Sequence, residues 1–361
     1  MSSDNHSWLA QLRKQFGWFV PEPQQPQAPE SRRLGLALGG GGGKGAAHLG
    51  VIQVLEELHI PIDLLVGTSI GGAVAIFHAA GLSDAEVRDI FRNTELRRIA
   101  VPDPTRTGLI GQHRRAEILK SLLSDRTFAD LSIPCAVVAT DLITGTIVVI
   151  NEGSLVEAIL ATTALPSLFP PVVSGERVLV DGGVLNNLPV DVAVQMGADK
   201  VIAVELNDAV ASFSLLPFEA ENPISRLLLA PQQLSIANRS LSLLINHATR
   251  LHLEAFPPAL LISPQVSDIP TLDTTNPERG QQAGIMAARA TASKLLELRS
   301  WRTDSAPPTE SQIAAALPSG TEITDWPEEL DHAAEQPPPL RHPLDMSAWW
   351  DEVFGSGRSS D

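Results

Sequence analysis

Residues 64–72, LLVGTSIGG, carry the reading on which the fold turns. An apolar run with the character of a buried strand ends at Gly67, Ser69 stands at the centre of a GxSxG, and small residues continue into the helical pattern AVAIFHAA. Such a strand-to-helix turn is so tight that Gly67 and Gly71 have room for almost no side chain, and the serine is left projecting from the end of the sheet. Ser69 is therefore the candidate nucleophile. Two fixed glycines around a serine also occur in ordinary strand-to-helix turns, so the motif has to be weighed with its surroundings.

Just upstream, LGLAL at 34–38 predicts a short buried strand, followed by Gly39 to Gly43, Lys44 and Gly45. A helix is predicted over 46–58, with Leu49, Val51, Ile52, Val54 and Leu55 apolar. A glycine run leaves backbone amides bare, and beside a helix N-terminus it makes a site for negative charge. The charge is either a standing phosphate or an oxyanion that exists only during reaction. A Walker loop does not fit: Gly45 follows Lys44 where Ser or Thr is needed, and Leu38 occupies the place of its first glycine. Gly40, Gly42 and Gly45 satisfy the dinucleotide fingerprint GxGxxG, but its ribose-binding acid belongs at the end of the next strand. Here Asp63 opens that strand, and Gly67, Thr68 and Ser69 end it. A nucleophile beside bare amides suits acyl transfer, where those amides hold a tetrahedral oxyanion.

A serine hydroxyl needs a base. Downstream, SDAEVRDIFRN and HRRAEILKSLL read as helices, PCAVVATDL and TIVVI as strands, and GSLVEAILATTA as a helix. RVLVDGGVLNNLPV then places Asp181 at the end of a short strand, ahead of Gly182 and Gly183. That is a suitable place for a general base, although an Asp before Gly is also a common turn residue. His247 and His252 follow Asp181, so the Ser, Asp, His order of an α/β-hydrolase triad stays open, even though both lie in a helical pattern over 236–256. His48, close to the glycine loop, reads as structural or substrate-adjacent.

GGGGGKG at 39–45, GTSIG at 67–71 and DGG at 181–183 occur in this order and separation in the patatin-like phospholipases. The chain resembles bacterial members of that family densely over 34–206 and more loosely to about 300, through ATDLITG (139–145), ATTALPSLFPPV (161–172), DGGVLNNLPV (181–190) and MGADKVIAVEL (196–206). The resemblance implies a lipid acyl hydrolase, whether phospholipase A, lysophospholipase or esterase, working through a Ser-Asp dyad without histidine. By that likeness Ser69 attacks the ester, Asp181 is the base, and the amides of Gly40, Gly41 and Gly42 form the oxyanion hole with that of Ile70. Gly45, Gly67, Gly71, Gly182 and Gly183 are the motif glycines. No metal and no cofactor is implied. Lys44 stands where Arg is common, and Ser167 where many relatives have Gly. An ordinary Asp titrates near pKa ~3.9, so a base role leads one to expect a low-dielectric pocket that raises its proton affinity, with proton transfer concerted with attack. The other reading is a degenerate member acting as a regulatory or binding module through its acidic tail. It predicts damage to the dyad or the glycine loop, and both are intact.

At 361 residues and 43% hydrophobic, the chain is long enough for one large or two ordinary domains with a substantial core. Composition divides it into an N-terminal amphipathic segment and Pro-rich linker (1–33), a hydrolase domain (34–302) and an acidic, Pro-rich tail (303–361) expected to be disordered. The formal charge is −16, and the tail, with twelve Asp or Glu against two Arg, accounts for about −10 of it. A phosphate-tracking surface needs a basic field, so nucleic acid is excluded as a partner. The single cysteine, Cys135, lies in the apolar PCAVVAT and reads as core packing. No apolar run approaches the ~18 residues that span a bilayer, and the first residues lack a secretory pattern. The expected location is cytoplasmic, with peripheral contact at the inner membrane left open. All six tryptophans lie outside 34–300. Leu9, Leu12, Phe16 and Phe19 fall at helical spacing, which suits either a membrane interface or docking on the protein itself. AWWDEVF at 348–354 suits self-docking or a protein partner. The segment VPDPTRTGLIGQ, 101–112, is a mobile rim for acyl chains or a plain surface loop. The fold expected is α/β, a three-layer α/β/α sandwich with a mainly parallel central sheet, in which helices at about 232–250 and 277–299 flank the strand-like ALLIS.

Overall fold

In the computed structural model, which describes residues 32–206, 232–304 and 309, strand β1 (Leu34–Leu38) leads through a single 3-10 turn (Gly42–Gly45) into helix α1 (Ala46–Glu57) and back into β2 (Leu64–Thr68). β1 and β2 pair in parallel, with Leu36 opposite Leu65. A parallel pair cannot be closed by a hairpin, and the helix is the required crossover.

The chain continues through α2 (Ile70–Ala79), α3 (Asp84–Asn93), α4 (Leu96–Ile99) and α5 (His113–Leu123) to β3 (Cys135–Asp141) and β4 (Thr146–Ile150). Then come α6 (Leu155–Thr162), β5 (Val172–Ser174), β6 (Arg177–Asp181), α7 (Val190–Gln195) and β7 (Lys200–Val204). After the undescribed stretch 207–231, α8 (Gln232–Ala255), β8 (Leu260–Ile262), α9 (Pro277–Ala290) and α10 (Ala292–Thr303) follow.

The strands form one sheet in the order β5-β6-β3-β2-β1-β7-β8, with β4 also on β3. Strands β3, β2, β1, β7 and β8 are mutually parallel, while β4, β5 and β6 add an antiparallel border. The expected mainly parallel α/β/α arrangement is what the chain adopts. Alternation along the strands feeds two cores. Leu34, Leu36, Leu38, Leu65, Ile202 and Val204 face the side covered by α1, α2, α9 and α10. Ala37, Leu64, Val66, Val201 and Ala203 face the side covered by α7 and the end of α8.

The antiparallel border has one consequence that decides the site. β3 pairs with β4 over Val137–Asp141, with β2 over Cys135–Val138 and with β6 over Ala139–Asp141. Both β2 and β6 overlap the stretch taken by β4, so both lie on the opposite edge of β3. They run toward each other along that edge. Thr68, the last residue of β2, is opposite Val138, and Asp181, the last residue of β6, is opposite Ala139.

Several elements differ from the sequence reading, among them the short helices α4 and α7, which it did not anticipate. The helix expected at 277–299 is two helices, broken at Thr291 (φ −107°, ψ 15°), whose hydroxyl donates to the carbonyl of Ala288 at 2.9 Å. A threonine hydroxyl competing for helix carbonyls favours such a break. β5 was not anticipated; it hairpins onto β6 through Gly175 at φ +59°. Among the described residues no helix is long and apolar enough to cross a membrane. The N-terminal amphipathic segment, the Pro-rich linker before residue 32 and the cluster at 348–354 lie outside the described residues.

Candidate active site

Ser69 sits at φ 55°, ψ −127°, a conformation strained for any residue with a Cβ. Crowding on both sides holds it there. A Cβ at Gly67 would lie 2.4 Å from the carbonyl of Gly71, and one at Gly71 would lie 2.2 Å from the carbonyl of Leu38. Only glycine at both positions lets α2 start this close to the ends of β1 and β2. The backbone N–H of Ser69 donates to Thr162 Oγ1 (2.9 Å), which itself donates to the carbonyl of Val138 (2.6 Å). On the other side, Thr68 Oγ1 donates to the carbonyl of Asn186 (2.8 Å).

The end-to-end meeting of β2 and β6 brings Asp181 to this serine. Ser69 Oγ donates to Asp181 Oδ2 at 2.5 Å, and the N–H of Gly183 donates to Oδ1 at 2.8 Å. Asp181 is 5% exposed. Burial pushes its carboxyl up to about 6, against the opposing pull of the Ser69 and Gly183 hydrogen bonds and of the positive charge on Arg115. At neutral pH it is mostly ionised, yet far more basic than a solvated aspartate.

The glycine loop divides its amides. Gly40 N–H donates to the carbonyl of Asn187 (3.0 Å) and Gly43 N–H to that of Thr271 (2.6 Å), so both are committed to holding the loop. Gly41, Gly42 and Ile70 line the cavity that contains Ser69 and Asp181, and among the described residues their amides have no acceptor. His48 is fully buried, with Nε2 2.8 Å from the carbonyl of Gly39. That nitrogen must donate, and burial drops the ring to about 4, so His48 is a neutral brace under the loop. His252 Nε2 lies 2.9 Å from Asp191 Oδ1, and His247 is exposed. Neither lines the cavity, so the Ser, Asp, His order along the chain does not become a triad in space.

The cavity has a volume of about 320 Å³, within the size range of small-molecule sites. Its lining includes the apolar Phe77, Ile90, Phe91, Leu119, Leu168 and Phe169 together with the glycine loop, Asn187 and residues of α8. Among the described residues, the charged groups of the wall are Lys44, Arg115, Arg239 and Asp181. The loop 101–112 contributes nothing to this wall. It is fastened instead: Asp103 Oδ2 accepts from the N–H groups of Thr107 (2.9 Å) and Gly108 (3.0 Å), and Leu109 N–H donates to the carbonyl of Leu168 (3.0 Å). Ser167 lies at φ +69°, the left-handed region that favours glycine.

Sequence reasoning missed Thr162 and Arg115. Thr162 lies at the end of a stretch read as a helix and quoted again for its likeness, and its hydroxyl acquires a task only once α6 packs behind the elbow. Arg115 left a readable trace: it falls at i, i+4 and i+8 with the buried Leu119 and Leu123, a cation on the apolar stripe of its helix.

The sequence model of the family described as Patatin-like phospholipase matches residues 36–194. An uncharacterized NTE family protein of Mycobacterium tuberculosis is 34% identical over 194 residues, 53% of this chain and 54% of the relative. A second NTE family protein of that organism is 34% identical over 276 residues, 72% of this chain and 46% of the relative. Patatin-like phospholipase domain-containing protein 6 of Mus musculus is 32% identical over 181 residues, 48% of this chain and 13% of the relative. The chain spans about half the length of the first two relatives and far less of the third. Among solved structures, VipD from Legionella pneumophila is similar at TM-score 0.39 and 16% identity, covering 80% of this chain and 74% of VipD. The type III effector protein ExoU is similar at TM-score 0.31 and 17% identity, covering 83% of this chain and 71% of ExoU.

Proposed function

Since the chain carries a patatin-like phospholipase domain over residues 36–194, we propose that it hydrolyses fatty acyl esters of lipids through an acyl-Ser69 intermediate, with Asp181 as the proton acceptor. The observation that carries this reading is the 2.5 Å contact between Ser69 Oγ and Asp181 Oδ2 in the wall of a cavity whose lining is largely apolar.

The chemistry follows from the geometry. As Oγ attacks the ester carbon, its proton passes to Asp181 Oδ2, and the carbonyl oxygen becomes an oxyanion. We assign that oxyanion to the amides of Gly41, Gly42 and Ile70, the last at the N-terminus of α2, where the helix dipole adds to the field. Gly40, whose amide is committed to Asn187, serves to hold the loop. When the intermediate collapses, the leaving alcohol takes the proton back from Asp181. Water then attacks the acyl-serine with Asp181 again as base, releasing the fatty acid and restoring the hydroxyl. A raised proton affinity supports the role, because a base closer to neutrality accepts a hydroxyl proton with less uphill cost.

Reaction with a fluorophosphonate probe tests the nucleophile without presuming a lipid. Wild type should be labelled and Ser69→Ala should not; equal labelling of the two sinks the proposal.

Access from a membrane surface belongs to the same reading. α8 turns Ser242, Ile245 and Asn246 to the cavity and leaves Leu243, Leu244 and Leu251 exposed, with Arg250 beside them. Leu244→Glu should slow hydrolysis of vesicle-borne lipid several-fold while sparing a soluble ester; an equal effect on both would remove the membrane role.

A further inference from the structure

Two consecutive carbonyls hold the two halves of the site. The carbonyl of Asn186 accepts from Thr68 Oγ1 (2.8 Å), one residue before the nucleophile, and the carbonyl of Asn187 accepts from the N–H of Gly40 (3.0 Å) in the glycine loop. The N–H of Asn186 donates in turn to the carbonyl of Gly182 (2.8 Å), one residue after the base. Nucleophile, glycine loop and base therefore all take their positions from one dipeptide. Neighbouring residues joined by a planar peptide move together, so a displacement of Asn186 shifts elbow and loop at once. Close packing tightens the joint: a Cβ on Gly40 would lie 2.4 Å from Asn187 Oδ1, and one on Gly183 would lie 2.8 Å from the same atom.

The dipeptide sits between a 3-10 turn (Gly182–Val184) and α7 and belongs to neither, so its anchor has to come from a side chain. Asn186 is buried, and its Nδ2 donates to Asp191 Oδ1 at 2.8 Å, while its own Oδ1 has no partner among the described residues. An orphaned buried oxygen is a cost that an apolar side chain of the same size would avoid. What the asparagine contributes is therefore its bond to Asp191. Asp191 is buried on α7, and His252 Nε2 stands 2.9 Å from the same Oδ1. Burial alone would raise the Asp191 carboxyl; the pull of His252 and Asn186 outweighs it and holds the group below its ordinary value, a charged acceptor at neutral pH. His252 belongs to α8, where Ser242, Ile245, Thr249 and His252 follow at spacings of three and four on one stripe. The first two line the cavity, Thr249 is buried, and His252 reaches Asp191.

We propose that Asn186 is a positioning residue that sets the Ser69 hydroxyl and the glycine-loop amides in mutual register, and that Asp191 and His252 fix it to α8. The helix that walls the cavity thereby also governs the alignment of the groups that react. The proposal rests on the hydrolase reading for the reaction it aligns, and its geometry is open to a measurement that needs no reaction.

That measurement is hydrogen exchange at the Gly40 amide, followed residue by residue by mass spectrometry with electron-transfer fragmentation. Asp191→Ala should speed exchange there at least about tenfold, since the carbonyl that holds Gly40 loses its anchor. His252→Ala, outside the cavity and at the margin of the fold, should do the same to a lesser degree and carries the test if Asp191→Ala does not fold. Unchanged Gly40 exchange in the folded variants overturns the proposal. Kinetics on a soluble p-nitrophenyl ester then separate positioning from packing. Thr68→Val and Asp191→Ala should each lower kcat about tenfold with KM within about twofold, as a small misplacement of reacting groups does. The double variant should fall little further than the worse single one, because both break one alignment through Asn186; independent losses would multiply to about a hundredfold and remove the coupling. His252→Gln keeps an N–H for Asp191 and should recover most of the kcat that His252→Ala loses, and no recovery counts against the tether. Fluorophosphonate labelling of Ser69 with unchanged Gly40 exchange leaves the hydrolase standing and removes only the role of Asn186; coupled exchange without labelling does the reverse.

Discussion

Asp181 carries two opposed demands on one carboxyl group. The Ser69 hydroxyl and the Gly183 amide each donate to one of its oxygens and favour the charged form, while burial favours the neutral one and wins, leaving a value of about 6. Ester hydrolysis should therefore fall about tenfold per pH unit below that value and level off above it, because only the carboxylate accepts a proton. A rate profile on a soluble p-nitrophenyl ester checks this, and Asp181→Asn should cost roughly 10²–10⁴ in turnover on the plateau above that value, with the gap narrowing as the pH falls below it. The same shift has a price in stability, and its sign is opposite to that of the usual aspartate. The carboxyl titrates at 3.8 when unperturbed and about 6 in the fold, so the native state binds the proton more tightly than the unfolded chain. The resulting stabilisation is complete below about pH 4 and is lost as the pH rises through about 6, a difference of about 3 kcal/mol. Urea denaturation at pH 4 and pH 8 should show Asp181→Asn gaining on wild type by up to that amount as the pH rises. A constant gap between the two proteins would contradict the assignment.

At the scale of elements, the elbow depends on a helix that never touches substrate chemistry. α6 ends at Thr162, whose hydroxyl accepts a hydrogen bond from the amide of Ser69 and donates one to the carbonyl of Val138 on β3. Thr162→Val keeps the shape and removes the acceptor. Leaving that amide unpaired should cost about 1–3 kcal/mol of stability, and labelling by fluorophosphonate should slow, since the strained serine loses a tether. Unchanged melting and labelling would show that α6 is only packing. The glycines of α1 and α9 act at the same scale: a Cβ on Gly284 would lie 1.9 Å from the carbonyl of Ala47, and one on Gly50 equally near that of Gln281. Those helices pack backbone on backbone, so α9 covers the first βαβ unit without large side chains between them.

Across the whole molecule, the last described helix closes back on the first strand. Arg302 on α10 donates from two nitrogens to Asp63 at 2.7 Å each, and Asp63 also accepts the backbone N–H of Leu34. Because the pair is only partly buried, Arg302→Ala should cost about 1 kcal/mol, less than a sealed bidentate pair, as a modest fall in the urea midpoint at unchanged slope. This contact also explains why Asp63 was no ribose ligand: it stands at the start of its strand because it is a fastening. By itself the sequence determined what depends on neighbours along the chain. Strand, glycine loop, helix, strand and elbow follow from apolar periodicity and from glycines that local torsion demands, and those marked Ser69 and Asp181 as residues of interest. Only the tertiary structure decided what depends on strand order and on side chains meeting from afar. The shared edge of β3 turns two distant strand ends toward each other, commits the Gly40 amide to Asn187, places His252 against Asp191 away from the serine, and brings Arg115 into the cavity wall. Such meetings are fixed by how the sheet is assembled, and periodicity along one chain holds no information about which strand lies beside which.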